Sequence, residues 1–79
     1  MTKLQRVTHR DLIKALKRAG FVERRQRGSH LYLWRKSDKC RVIVPVHQGR
    51  DMRTGTLRNI LRDANISPDE FRQLLKKRK

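Results

Sequence analysis

Five consecutive residues constrain this chain more than any others. In His30-Leu31-Tyr32-Leu33-Trp34, leucines alternate with ring-bearing residues, and a period of two belongs to a β-strand, whose successive side chains point to opposite faces. Leu31 and Leu33 therefore share one face, and His30, Tyr32 and Trp34 share the other. The strand is entered through Arg27-Gly28-Ser29, where glycine's conformational freedom permits a sharp reversal and a close approach by a ligand. A short strand over residues 21–26, apolar at its start and basic after that, precedes the turn. Residues 36–39 are polar and lack apolar periodicity. Beyond them Cys40-Arg41-Val42-Ile43-Val44, rich in β-branched residues, makes a third strand that stops at Pro45. Three such strands joined by short polar turns form an antiparallel meander.

The leucine face must be covered, and three helical patterns are available to cover it. Leu12, Ala15, Leu16 and Ala19 recur at helical spacing with Ile13 beside them. Thr8 stands where an N-cap belongs, Asp11 three residues on, and Gly20 at the left-handed C-terminal position, which predicts a helix over about residues 9–19. Thr54 is placed to cap a second helix carrying Leu57, Ile60, Leu61 and Ala64, ended by Asn65. Ser67-Pro68, followed by Asp69 and Glu70, opens a third, which turns Phe71, Leu74 and Leu75 inward and ends in Lys76-Lys77-Arg78-Lys79. The order is α-β-β-β-α-α. It predicts an α+β fold in one domain, residues 1–79 with a core of about 8–75, whose three-stranded antiparallel sheet is covered on one face by helices. The other face displays His30, Tyr32 and Trp34.

Charge says what that face is for. The chain has 22 Lys and Arg against 7 Asp and Glu, a net charge of +15, and such an excess points to a polyanionic partner. A chain this short buries only about 60–65% of its unfolded surface, which argues for a shallow groove rather than a deep cavity. No segment approaches the ~18 apolar residues of a membrane span, and the N-terminus has no apolar signal core, so the expected location is the cytoplasm without membrane attachment. Cys40 is the single cysteine; it builds neither an internal disulfide nor a cysteine-rich zinc site, and is expected to pack as a small apolar residue. Three histidines without clustered carboxylates do not resemble a metal site, and no cofactor is expected.

His30 is the main candidate for chemistry, because an imidazole titrates near pH ~6.5 and both takes and gives a proton near neutrality. Ser29 offers a hydroxyl beside it, and His47, in the loop over residues 46–53, is a possible assistant. Arg25, Arg27, Gly28 and Arg50 are candidate contacts to a phosphate backbone. Tyr32 and Trp34 admit two readings: platforms on which bases stack, or rings that bury area at a core edge. His9 reads as a surface residue. A nuclease and a non-catalytic RNA-binding module use the same charge and rings, and composition does not separate them. A DNA-binding or ribosome-associated accessory protein is a further alternative, but no helix-turn-helix or ribbon pattern is offered for it.

Five runs then point to a family. Gly20-Phe21, Arg25-Gln26-Arg27-Gly28-Ser29-His30, Val44-Pro45-Val46-His47, Gly55-Thr56-Leu57-Arg58-Asn59-Ile60-Leu61 and Ile66-Ser67-Pro68-Asp69-Glu70-Phe71 resemble the HicA toxin family in order and spacing, from helix 1 through Phe71. The resemblance implies a double-stranded-RNA-binding-domain-like fold, endoribonuclease activity on messenger RNA, and neutralisation by a HicB-like antitoxin. It places the family's catalytic histidine on His30.

Overall fold

The computed structural model describes residues 7–46 and 52–76. Their order is α1 (His9–Arg18), β1 (Val22–Arg27), β2 (His30–Arg35), β3 (Cys40–Pro45), α2 (Thr54–Asp63) and α3 (Pro68–Lys76), the predicted α+β arrangement. Helix α1 starts with a reciprocal cap: the Asp11 N–H donates to the Thr8 hydroxyl (3.3 Å) and the Thr8 N–H to the Asp11 carboxylate (3.2 Å). It ends one residue earlier than expected, Ala19 serving as C-cap. Gly20 follows at φ +103°, a conformation that side chains resist. Helix α3 repeats the device, the Glu70 N–H donating to the Ser67 hydroxyl (3.1 Å) and the Ser67 N–H to the Glu70 carboxylate (3.4 Å).

Helix α2 departs from the expected cap. Arg53, not Thr54, is the N-cap, and no side chain bonds the free N–H groups there. The Leu57 N–H donates to the Arg53 carbonyl at 2.9 Å, so the backbone ladder begins one residue before the position assigned to it, in the frame that buries Leu57.

The sheet runs β1-β2-β3, both pairs antiparallel. Leu31 and Leu33 of β2 and Val42 and Val44 of β3 are buried. They pack with Leu12 and Leu16 of α1, Leu57 and Leu61 of α2, and Phe71 of α3. Phe21, expected to open β1, instead precedes it as a core residue. Helix α1 lies on α3 and β3, and α2 on β3, whereas β1 is exposed along its whole length. Leu75, expected inward, is half-buried. Among the described residues, no helix is long and apolar enough to cross a membrane.

Arg35, the last residue of β2, draws several of these pieces together. Its Nη1 donates to the Ala19 carbonyl (3.2 Å) and its Nη2 to the Ala64 carbonyl (3.1 Å), the C-caps of α1 and α2. The same guanidinium lies 4.6 Å from the Phe21 ring centre and forks onto Asp38 in the loop to β3, at 3.1 and 2.8 Å. A cation placed at two helix C-termini satisfies carbonyls the helices leave open. Arg18 does the same for α3, donating to the Leu74 carbonyl. Both arginines are thereby committed to structure.

Candidate functional site

Paired residues of an antiparallel sheet stand side by side on one face, so the register gives the layout of the helix-free face. The first row is Arg27, His30 and Pro45; the second is Arg25, Tyr32 and Ile43; the third is Val22, Trp34 and Arg41. Between Glu23 and Arg25 the pairing skips one residue of β1. This bulge leaves Arg24 opposite no partner, and such an insertion bends the strand and re-aims side chains. Here Arg24 and Arg25, though adjacent, reach the same face: the Arg24 guanidinium lies 4.7 Å from the Trp34 ring centre and that of Arg25 5.9 Å from Tyr32. Glu23 goes the other way, pairing in register with buried Leu33 and bonding Lys17 at 2.6 Å. The three rows carry three arginines and no acid, and Arg24 at the bulge adds a fourth arginine.

His30 opens β2 and is exposed. The two-residue turn before it places Gly28 at φ +55°, as two-residue hairpins with glycine in the first central position require. A side chain at Gly28 would meet nothing within 4 Å, so backbone conformation alone calls for glycine. Ser29 is exposed in the turn, and its carbonyl accepts from the Val46 N–H at 2.6 Å, tying the end of β3 beside His30. Tyr32 and Trp34 are half-buried on the same face. A shallow concavity of about 800 Å³ runs over the second and third rows, with Asp63 the one acidic residue lining it.

The structure thus brings together His30, Arg25, Arg27, Tyr32 and Trp34, with Gly28 and Ser29 in the adjoining turn. His47 and Arg50 lie outside the described residues. Sequence reasoning did not single out Arg24, Arg41 or Ile43. The last two were accessible to it, since they alternate with Val42 and Val44; Arg24 was not, since only the bulge brings it here. Cys40 does more than fill space: its Sγ–H donates to the Asp63 carbonyl at 2.8 Å, and burial pushes the thiol's pKa up. The Arg35 fork raises that guanidinium's pKa and holds the Asp38 carboxyl below the usual carboxylate range. Among the described residues, no three His, Cys, Asp or Glu side chains converge on a cation site.

Fold and face together define a small basic α+β protein with a cationic, ring-bearing sheet surface. The family model for the HicA toxin of bacterial toxin–antitoxin systems matches residues 9–66, from α1 through Ile66, and the chain belongs to that family. It is a toxin of a toxin–antitoxin pair, and an antitoxin partner is implied. No curated protein sequence matches the chain.

Proposed function

We propose that the chain is an endoribonuclease that cleaves messenger RNA through the RNA's own 2′-hydroxyl, without a metal ion, and that a HicB-like antitoxin neutralises it. The observation that carries this reading is the position of His30, exposed at the start of β2 beside Arg27, in paired rows that bear arginines and no acid. The His30 imidazole takes the 2′-proton as the 2′-oxygen attacks the adjacent phosphorus in line. The bond from phosphorus to the 5′-oxygen breaks, leaving a 2′,3′-cyclic phosphate and, once protonated, a 5′-hydroxyl. Arg27 stabilises the charge that develops on the phosphoryl oxygens. His47 is the candidate donor to the leaving oxygen, and Arg50 a second phosphate contact. Ser29 adds a hydroxyl at the turn. Bases freed from pairing rest on Tyr32 and Trp34, with Arg25 beside them.

The test is a cleavage gel and a binding titration on purified native, His30→Ala and His47→Ala proteins. Loss of a general base typically costs about 10²–10⁴ in rate, whereas one imidazole among 22 cationic residues contributes little to phosphate attraction. We expect His30→Ala to abolish cleavage while keeping its fold and most of its RNA affinity, and His47→Ala to lose less. Full cleavage by a folded His30→Ala protein refutes the assignment. If binding disappears together with cleavage, the non-catalytic RNA-binding module becomes the better account. An acidic antitoxin would associate quickly and exclude RNA from the same surface. Hydrogen exchange on the complex should show protection at residues 27–34; protection confined to remote surfaces would sink this mode of inhibition.

A further inference from the structure

We infer that the sheet face is a stepped subsite for an unpaired RNA strand: Tyr32 and Trp34 each take one base, from consecutive nucleotides on one side of the scissile phosphate. Arg24, Arg41 and Ile43 complete it. This rests on the reading of His30 as the residue at the scissile bond. Rows on one face of a strand are two residues apart, about 6.7 Å, a spacing that suits successive phosphates of an extended single strand. His30, Tyr32 and Trp34 occupy three successive rows of β2. A phosphate held by Arg27 at the first row therefore sets the next two nucleotides over the two rings.

Each ring has cationic or apolar neighbours suited to a stacked base. Tyr32 stands between Arg25 and Ile43, which is 48% exposed although apolar. Trp34 stands beside Arg41 in register, with Arg24 over its ring at 4.7 Å. In the free protein that guanidinium occupies the position a base would take. A base stacking on Trp34 displaces Arg24, whose charge then turns to the neighbouring phosphate, so the bulge supplies both a cover for the ring and a backbone contact. A duplex turns its base faces inward and offers these rings nothing to stack on. The step thus selects single strands, even though duplex and single strand share the same phosphate chemistry.

Trp34 is the single tryptophan of the chain, so its fluorescence reports on this subsite alone. The experiment titrates the full chain with a 2′-O-methylated oligoribonucleotide, which cannot supply the attacking 2′-oxygenate, as single strand and as duplex, and follows saturation separately by anisotropy of a label on the RNA. We expect strong quenching by the single strand and none by the duplex. Trp34→Ala should weaken single-strand binding about ten- to a hundredfold, the typical effect of losing a base–aromatic stack; Trp34→Phe should retain most affinity, and Arg41→Gln should lose severalfold. If Trp34→Ala does not fold, native-chain fluorescence and the other two variants decide. Saturation without a fluorescence change, equal quenching by the duplex, or absence of binding overturns the subsite. Cleavage of unmodified RNA is scored separately: cleavage with a silent Trp34 sinks the subsite and leaves the nuclease, whereas quenching without cleavage keeps the subsite and sinks the nuclease.

Discussion

Arg35 shows how much one side chain can hold in a domain this small. It satisfies the end carbonyls of two helices and covers Phe21, and its Cδ leaves Gly20 so little room that a Cβ there would approach to 3.2 Å. Arg35→Met keeps the aliphatic stem and loses every charged bond. Hydrogen bonds to charged groups contribute about 1.5–3 kcal/mol, so we expect a loss of about 2–3 kcal/mol, which in a domain of this size lowers Tm by roughly 10–20 °C. The neighbouring Lys36→Met, exposed in the loop, serves as the control and should leave Tm unchanged. Asp38 adds a pH signature. Its pKa is lowered in the folded state by its bonds to Arg35, so its contribution is fully present above the ordinary aspartate value of about 3.9 and is lost as pH falls through the lower folded value. Thermal melts of Asp38→Asn should accordingly fall less on acidification than those of the native chain.

Among the elements, legibility followed the contrast between apolar and polar positions. Strand β2 and helices α1 and α3 were readable because leucines mark one face and short polar residues mark the ends. Strand β1 was readable only as a strand, one residue out of place: in Val22-Glu23-Arg24-Arg25-Gln26-Arg27 five successive polar side chains carry no period, so neither the bulge nor the face of Arg24 and Arg25 could be read. The residue pairing that creates the candidate site's third row is therefore a tertiary fact. Capping gave a mixed result for a related reason. Ser67 and Thr8 cap with reciprocal acids three residues on, whereas Thr54 has Leu57 at that position and no such partner. Ser67→Ala should cost about 1 kcal/mol, Thr54→Ala much less, and Arg53→Ser should stabilise by roughly 0.5–1 kcal/mol by supplying the missing cap. Urea unfolding of the three variants checks the order; equal losses from Ser67→Ala and Thr54→Ala would contradict the observed caps.

At the level of the whole molecule, one face of the sheet is packed into the core and the other stays open. Helices α1 and α2 share one core beneath the sheet, so Leu16→Asp or Leu61→Asp buries an unpaired charge at a position at most 2% exposed. The cost, several kcal/mol, is a large part of a small domain's ~5–15 kcal/mol stability, and both variants should melt far below the parent. On the open face, four arginines acting on single-stranded RNA should give a slope of log K against log salt of about −3, from roughly −0.7 per phosphate neutralised. Each Arg→Gln change among Arg24, Arg25, Arg27 and Arg41 should make it shallower by about that unit, whereas Arg18→Gln, bonded to the end of α3, should change stability and leave the slope alone. A flat salt response contradicts the electrostatic reading of the face.

The packing of α1 on α3 also bears on how the chain comes into being. The bond from Arg18 to the Leu74 carbonyl spans 56 residues, and Phe71, fully buried, fills the same core as Leu12 and Leu16. During synthesis from the N-terminus, α1 and all three strands are made before α3, so the apolar stripe of the first helix waits for the last. Loops of that length close slowly compared with the hairpins between them. The strands that carry His30 and its neighbours are thus made early but held in place late, and a growing chain bears the residues of its open sheet face well before it has the scaffold to present them.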